Sequence, residues 1–291
     1  MSVMKDEMIR GTAFGDQIRF FAAYTKDTVE EARQIHDLSP LCTAALGRLL
    51  TAGLMMGAMG KDESDIITLK IDGDGPVKSL TVTADPNGNV KGLVYNNHVE
   101  LPLRDDGHLD VGRGIGSGML SVIRDMGMKE PYVGQTLLHS GEIAEDLTYY
   151  FAESEQIPTS VALGVLIDRN RSVKTSGGFI IQVMPFASDE TLSLIEKRLA
   201  SFSSVTQELE QGKSMEDIMN ELLDDVSVED RMPVRYYCNC SIERVTKALI
   251  SLGNKELQAM IDDGEPVRLH CDFCEKDYEF TIEELKKLIE S

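Results

Sequence analysis

The sequence predicts an α+β protein in three parts. They are an N-terminal domain of mixed helices and strands over residues 1–186, a helical linker over 187–231 and a small C-terminal domain over 232–291. Three observations support this division: strand-like runs separated by turn residues, a shift to acidic and helically spaced sequence after Pro185, and four of the five cysteines within the last 54 residues. With 291 residues, the chain is long enough for more than one folding unit.

The N-terminal domain begins with a predicted hairpin and two predicted helices. Residues 8–13 and 17–24 are apolar runs on either side of the turn sequence Phe-Gly-Asp, a pattern typical of a β-hairpin. The four residues from Thr28 to Glu31 have the form of a helix capping box. A second helix follows Ser39, a favourable N-cap residue, and Pro40, which suits the first helical position.

Residues 41–60, the second predicted helix, have about the length that a bilayer requires. However, Arg48 lies near the middle and four glycines weaken the segment, so we expect a helix buried in the core of a soluble protein. The N-terminus becomes charged at once and shows no apolar export signal. We therefore expect a cytoplasmic protein that does not enter a membrane.

A β-meander and a further helix are predicted next. Alternating apolar and polar residues form strands, and turn sequences rich in Gly, Asp and Pro separate them. A helix capped by Ser140 is expected to continue to Glu155 and to end before Pro158. Because strands pair in hairpins with few helices between them, the pattern favours α+β packing over a βαβ array. The predicted strands are residues 66–71, 77–84, 90–95, 161–167 and 178–183.

The segment 187–231 contains 12 acidic and 4 basic residues. Its apolar residues nevertheless recur at helical spacing in two groups, and a capping box at Ser214 precedes the second group. The pattern by itself favours a solvated helical linker over a dedicated switch. Narrow apolar stripes and strongly negative outer faces predict low local stability, so opening would expose the stripes. The apolar groups are Leu192, Ile195, Leu199 and Phe202, then Met215, Ile218, Met219, Leu222 and Leu223.

The C-terminal domain has 60 residues, a size at which a hydrophobic core alone is marginal. The sequence predicts helices over 241–252 and 254–262, a hairpin over 266–280 and a short helix after Thr281. A domain of this kind needs an additional crosslink. The clustered cysteines are placed to supply it.

These cysteines follow the pattern C-x-C, 30 residues, then C-x-x-C. Four thiolates predict one Zn²⁺ in a closed tetrahedral site, without a free position for a catalytic water. An iron–sulfur cluster is the alternative, but C-x-C fits the known spacings poorly.

His270 is adjacent to the site and is expected at the surface or beside a ligand. Cys42 lies alone in the buried helix and is expected to be a small apolar core residue. The predicted ligands are Cys238, Cys240, Cys271 and Cys274.

A static structural zinc site is the more common case, but this arrangement also permits a redox switch. The cysteines of each pair are close enough in sequence to form their own disulfide, and metal binding keeps sulfur as thiolate, the oxidisable form. Loss of the metal would remove the free energy that it contributes to folding of the tail. A disulfide within C-x-C encloses one residue, so strain should make it easy to reduce. Spacing alone does not decide between the two.

Three classes of function remain open on the residues alone: a redox-switched binding protein, a thiol–disulfide oxidoreductase and a zinc-ribbon nucleic-acid binder. The oxidoreductase motif normally opens a helix, whereas residues 271–274 lie in a predicted hairpin. The formal net charge of −20 opposes nucleic-acid binding. The glycine-rich residues 112–118 lack the Lys-Ser/Thr of a P-loop and are interpreted as a turn between strands. Residues 72–75 resemble the start of a calcium loop but lack its later ligands.

Several stretches of the chain resemble the 33 kDa chaperonin family, the bacterial redox-regulated heat-shock holdases. The resemblance spans nearly the whole chain and includes the four clustered cysteines. The matching stretches are IDGDGPVKSLTVTADPNGNVKGLV from Ile71 to Val94, then GSGML, EPYVGQ and SGEIAEDLTYYFAESEQIPTS between Gly116 and Ser160, and SGGFIIQVMP from Ser176 to Pro185.

The resemblance implies a chaperone and not an enzyme. In the reduced and inactive state, all four cysteines would hold one Zn²⁺. Oxidation would release the metal and form the disulfides Cys238–Cys240 and Cys271–Cys274.

The resemblance also implies how such a chaperone works. The redox-switch domain over 232–291 and the linker over 187–231 would unfold and expose surface that binds unfolding client proteins without ATP. Client binding and dimerisation would belong to residues 1–186, and a homodimer is expected. High negative charge would help to keep a complex with clients soluble.

Overall fold

The structure is a computed structural model that describes residues 4–290. The chain divides into two compact units, Met1–Tyr237 and Cys238–Ser291. In chain order, the first unit contains β1 (Glu7–Ala13), β2 (Ile18–Tyr24), α1 (Lys26–Ile35), α2 (Pro40–Gly57), β3 (Ile66–Gly73), β4 (Ser79–Ala84), β5 (Asn89–Val94), α3 (Val111–Ile115), β6 (Gly118–Asp125), β7 (Tyr132–Leu137), α4 (Ile143–Tyr150), β8 (Thr159–Ile167), β9 (Val173–Val183), α5 (Asp189–Ser201), α6 (Val205–Glu210), α7 (Met215–Leu222), β10 (Ser227–Pro233) and β11 (Arg235–Tyr236). The second unit contains α8 (Ile242–Ser251), α9 (Asn254–Asp262), β12 (Val267–Cys271), β13 (Lys276–Phe280) and α10 (Ile282–Glu290).

The strands of the first unit form two sheets. One has the order β10-β1-β2-β9-β8 with antiparallel neighbours throughout. The other has the order β11-β5-β4-β3-β6-β7, antiparallel except where β11 runs parallel to β5. The predicted hairpin and meander are confirmed. Strands β6, β7, β10 and β11 and helix α6 were not predicted from the sequence.

Helix α2 packs against strands of both sheets, which explains why it is apolar on every side except around Arg48. Ser39 caps it by accepting a hydrogen bond from the backbone N–H of Cys42. Glycines allow the close approach: a Cβ at Gly47 would lie 2.6 Å from Val29, and one at Gly53 would lie 2.7 Å from a Val82 methyl. The helix has the length and hydropathy of a membrane span, but 89% of it is buried inside the structure. The expectation of a buried core helix is confirmed.

The first sheet is buried on both faces, because successive residues of a strand point in opposite directions. Met8, Phe21 and Ile180 pack on the side of α2. Their neighbours in sequence pack on the opposite side, where α5, α6 and α7 cover the sheet. The opposite side contains Ile9, Phe20, Ala22, Phe179 and Ile181.

The predicted linker, residues 187–231, is therefore packed against a sheet and not surrounded by solvent. Strand β10 spans the predicted boundary at residue 231 and pairs with β1. The short strand β11 pairs with β5, so the first compact unit continues to Tyr237. These strands were not predictable from the sequence pattern, because β10 alternates exposed and half-buried residues and carries three charged side chains.

Helix α1 begins at Lys26, two residues before the predicted capping box. The side chain of Asp6 takes the place of a local cap: its carboxylate accepts hydrogen bonds from the backbone N–H groups of Asp27 and Thr28 and from the Thr28 hydroxyl, at 2.6–3.0 Å. The capping-box prediction was wrong because the acceptor comes from a residue some twenty positions earlier in the chain.

Two other local predictions also need correction. The helix expected from Ser140 starts at Ile143, and residues 151–155 continue it as a turn of π-helix. The glycine-rich residues 112–118 form most of the short helix α3 and the entry to β6, and not a turn between strands. At Gly116, which has φ of 76°, a Cβ would lie 2.2 Å from the Asp74 carboxylate. Glycine is therefore required there for close backbone packing.

The second unit is small, as its length predicts. Its predicted helices and hairpin are confirmed. Strands β12 and β13 pair antiparallel from Val267–Phe280 to Cys271–Lys276. Among the described residues of this unit, the buried core consists of Leu249, Leu257, Phe280 and Leu285.

Candidate functional site: a four-cysteine metal centre

Two short segments of backbone supply the four cysteines of the second unit. Cys238 and Cys240 lie between β11 and α8, while Cys271 ends β12 and Cys274 lies in the turn to β13. The backbone N–H groups of Cys274 and Glu275 both donate to the Cys271 carbonyl, at 3.1 and 2.8 Å. Glu275 completes this tight turn with φ of 56°. The turn places both sulfurs of the C-x-x-C motif at one end of the hairpin.

The four Sγ atoms form one cluster, in which all lie within 4.8 Å of one another. Four sulfurs arranged tetrahedrally at about 2.3 Å from Zn²⁺ would be about 3.8 Å apart. The Cys238 and Cys271 sulfurs are 3.7 Å apart, and the Cys240 and Cys274 sulfurs are 3.2 Å apart. Donor type, number and spacing therefore fit a zinc ion, and thiolate sulfur disfavours harder ions such as Mg²⁺ or Ca²⁺.

Both of these contacts join the C-x-C motif to the C-x-x-C motif. This is the arrangement expected when the two motifs share one ion. All five cysteines of the chain are free thiols.

Three of the sulfurs accept hydrogen bonds from identified groups. The backbone N–H of Cys240 donates to Cys238, and that of Lys276 donates to Cys274. The hydroxyl of Tyr278 donates to the Cys240 sulfur at 3.0 Å. Donors of this kind stabilise negative charge on sulfur, as a metal-bound thiolate requires.

These contacts give the thiols different pKa values. Burial raises the pKa of Cys238 and of Cys274. Burial also opposes ionisation of Cys240, but hydrogen bonds from Tyr278 and from neighbouring thiols outweigh it and lower the pKa of Cys240 to about 7. The same hydrogen bond raises the pKa of Tyr278 to about 12. Among these three sulfurs, negative charge is best stabilised on Cys240.

The remaining sequence candidates lie outside the cluster. His270 is exposed, and its two ring nitrogens bind the carboxylates of Asp277 and Glu275 at 2.8 and 2.9 Å. It occupies the surface, as expected. Cys42 is buried in α2, where its thiol donates to the Asn96 carbonyl at 3.2 Å. Burial raises the pKa of the Cys42 thiol, consistent with an unreactive core residue.

The sequence pattern did not identify Tyr278 as part of the site. The alternation of β13 indicates that this residue faces inward together with Phe280. Nothing local marks its hydroxyl as a partner of Cys240, which lies 38 residues earlier. Only the folded second unit brings the two together.

A second feature bears on function, namely the acidic helices α5–α7 and the sheet beneath them. We define the covered face as the residues of β1, β2 and β9 that these helices bury: Ile9, Ile18, Phe20, Ala22, Phe179 and Ile181. The helices contribute Ile195, Val205, Leu209, Met215, Ile218, Met219, Leu222 and Leu223 to the same cluster. Removing the helices would expose a continuous apolar surface of aromatic and branched side chains.

Several ion pairs involve these acidic helices. Lys213 pairs with Glu208 and Glu221, Arg198 with Asp224, Lys174 of β9 with Glu210 and Arg231 of β10 with Glu216. Ion pairs near the surface contribute about 0–1 kcal/mol each. Attachment of the helices therefore depends mainly on apolar packing.

Comparisons with known proteins agree on one family. The family model described as Hsp33 protein matches residues 6–281. The 33 kDa chaperonin of Lachnoclostridium phytofermentans is 54% identical over 288 residues, covering 98% of this chain and 99% of that protein. The 33 kDa chaperonin of Agathobacter rectalis is 54% identical over 287 residues, with 98% and 100% covered.

Structural similarity leads to the same family. The crystal structure of the 33 kDa chaperonin (heat shock protein 33 homolog) from Thermotoga maritima matches with a TM-score of 0.89 and 36% identity, covering 99% of this chain and 98% of that chain. Since the sequence and structural matches each extend over nearly the whole length, they include both compact units. The chain therefore belongs to the Hsp33 family, the 33 kDa chaperonins, and is a chaperone and not an enzyme.

Proposed function

We propose that this chaperone is a redox-regulated holdase, which binds unfolding proteins without ATP and prevents their aggregation. The observation that carries the proposal is the cluster of four free thiols from two motifs in a unit with a very small core. In the reduced state, Cys238, Cys240, Cys271 and Cys274 would hold one Zn²⁺. When bound, the ion would crosslink the two motifs and keep the sulfurs as thiolates.

Oxidation by a peroxide supplies a balanced route to the active state. A cysteine sulfur attacks one peroxide oxygen, the O–O bond breaks, and a sulfenic acid and water result. The second cysteine of the same motif then attacks the sulfenic sulfur, forming the S–S bond and releasing a second water. Four thiols and two molecules of hydrogen peroxide thus yield two disulfides and four waters. The proposed disulfides are Cys238–Cys240 and Cys271–Cys274.

Formation of these disulfides would unfold the second unit. Disulfide sulfurs lack the negative charge that holds the metal. Each disulfide also links residues within one motif, so no crosslink would then connect C-x-C to C-x-x-C. The four buried core residues of the unit are too few to stabilise it unaided. The free energy of metal binding is therefore the main term that oxidation removes.

Exposure of the covered face would then create the client-binding surface. The chain enters Cys238 directly from β10 and β11, which continue from the acidic helices. Helices held mainly by one apolar stripe open at modest cost, and the covered face would bind apolar segments of unfolding proteins. The net charge of −20 would favour solubility of the complex and oppose binding to nucleic acids. We further propose a cytoplasmic homodimer.

The test follows metal release and aggregation suppression together. The reduced, zinc-loaded full chain is compared with the same sample after hydrogen peroxide treatment at mild heat, using a thermally unfolding client without ATP. We expect one equivalent of zinc to be released as suppression increases. A Cys42→Ala variant, which keeps the four clustered thiols, should behave as the wild type does. Zinc that stays bound, or leaves without a gain in suppression, would refute the redox switch.

A further inference from the structure

We propose that Tyr278 is a positioning residue of the metal centre, whose hydroxyl holds Cys240 in its ligating orientation and reduces the reactivity of that sulfur toward oxidants. The inference rests on the proposed zinc site. It adds a residue outside the four ligands. The observation behind it is the 3.0 Å hydrogen bond from the Tyr278 hydroxyl to the Cys240 sulfur.

The fold fixes the direction of this hydroxyl. Tyr278 lies on β13 opposite Leu269 of β12, and alternation places it on the same face as Phe280. Its ring is half-buried and packs against the small core of the second unit. The ring is thus anchored by apolar contacts, while the hydroxyl extends to the sulfur.

Apart from the cysteine thiols themselves, the three identified donors to the cluster are two backbone N–H groups and the side chain of Tyr278. Cys238 and Cys274 receive theirs from backbone N–H groups, which ordinary substitution does not remove. Cys240 receives its hydrogen bond from Tyr278. Substitution of the tyrosine can therefore change the environment of one ligand selectively.

The effect of this hydrogen bond on oxidation follows from how the negative charge on the Cys240 sulfur changes during the reaction. A thiolate that attacks a peroxide gives an electron pair to oxygen, and the O–O bond breaks as hydroxide leaves and takes up a proton. Negative charge on sulfur decreases along this path, so a hydrogen bond to the thiolate is stronger at the start than in the transition state. Such a bond slows the attack. It also stabilises the ligand when the metal is bound.

The test compares Tyr278→Phe with Tyr237→Phe, both as zinc-loaded full chains. The first variant keeps the aromatic ring and removes the hydroxyl. The second makes the same atomic change at a residue that is 44% exposed and whose ring lies against the Arg235 guanidinium. Zinc affinity is measured by competition with a chromophoric chelator. Alkylation of each cysteine by iodoacetamide is followed by mass spectrometry, and the sulfur-to-metal charge-transfer band is recorded after Co²⁺ substitution.

We expect zinc affinity of Tyr278→Phe to fall about tenfold, the lower end for loss of a partner hydrogen-bonded to a ligand. Alkylation of Cys240 should accelerate severalfold more than that of Cys238 or Cys274, and the Co²⁺ band should move to lower energy. The control variant should match the wild type. These selective changes would not arise from a purely structural role of the ring.

Two outcomes would overturn the role of Tyr278 alone. In the first, the variant matches the wild type in all three measurements. In the second, all four cysteines accelerate equally and the Co²⁺ band is unshifted, which indicates general loosening of the unit. If the wild type itself fails to hold one equivalent of metal, the proposed zinc site fails, and this inference fails with it.

Discussion

Replacement of Ile218 by alanine should partly activate the reduced protein without altering any cysteine. Ile218 lies on α7, is fully buried and belongs to the cluster that joins the acidic helices to the covered face. Truncation of a fully buried isoleucine to alanine costs about 2–5 kcal/mol, because apolar contacts are lost and a cavity remains. If α7 opens locally, a cost of about 2–4 kcal/mol raises the open population roughly 30- to 1,000-fold.

Two measurements on the reduced, zinc-loaded variant check this expectation. Amide hydrogen exchange should accelerate in α7 by a factor within that range, while the strands of the meander keep their protection. Suppression of client aggregation should increase above that of the reduced wild type. Zinc content should remain at one equivalent, because the change leaves the second unit intact.

The matched control is Ile250→Ala, the same chemical change on α8 at a residue that is 45% exposed. It should alter neither α7 exchange nor aggregation suppression. Faster α7 exchange without a gain in suppression would refute the covered face as the client-binding surface. Unchanged α7 exchange would refute the argument that apolar packing holds the acidic helices in place.

Three further changes have defined outcomes. Cys271→Ser should bind zinc at least tenfold more weakly and make suppression less dependent on oxidant, as measured by chelator competition; tight stoichiometric binding would contradict the ligand assignment. Glu30→Gln should lower stability by about 1 kcal/mol at pH 7 after allowance for solvent screening. The Arg33 hydrogen bond lowers the pKa of Glu30 to about 2, so its stabilisation is complete above about pH 4.5, and the deficit of the variant should vanish as pH falls toward 2 in urea titrations. Ser39→Ala should cost about 1–2 kcal/mol in the same assay, since it removes the cap of α2.

Much of the fold could be predicted because its signals are local. The cap at Ser39, the opening hairpin and the hairpin over 266–280 each depend on residues within a few positions of one another. The four-cysteine cluster was predictable for a related reason, because the spacing of short thiol motifs implies a shared ion wherever they meet.

The N-terminus of α1 shows where local signals mislead. The residues from Thr28 to Glu31 match a capping box, yet the helix begins at Lys26 and Asp6 supplies the acceptor. A strand pairing brings Asp6 to that point. The residues around the helix start do not indicate such a long-range contact, so the local pattern predicted the wrong cap.

In the acidic segment, too, local patterns predicted the helices but not what they pack against. Periodicity predicted its helices and the residues of each apolar stripe, including Ile195 and Ile218. It did not reveal that the stripes face a sheet already packed against α2 on its other side. For that reason the composition favoured a solvated linker.

By itself, then, the sequence determined the helices capped by Ser39 and Ser214, the hairpins, the acidic stripes and the set of four thiols, since short-range sterics and hydrogen bonds decide them. Only the tertiary structure decided that C-x-C sulfurs contact C-x-x-C sulfurs, that the Tyr278 hydroxyl reaches Cys240 and that the acidic helices cover a two-sided sheet. These contacts join residues tens to hundreds of positions apart. Their geometry depends on how strands pair across the whole chain, and no local pattern encodes that pairing.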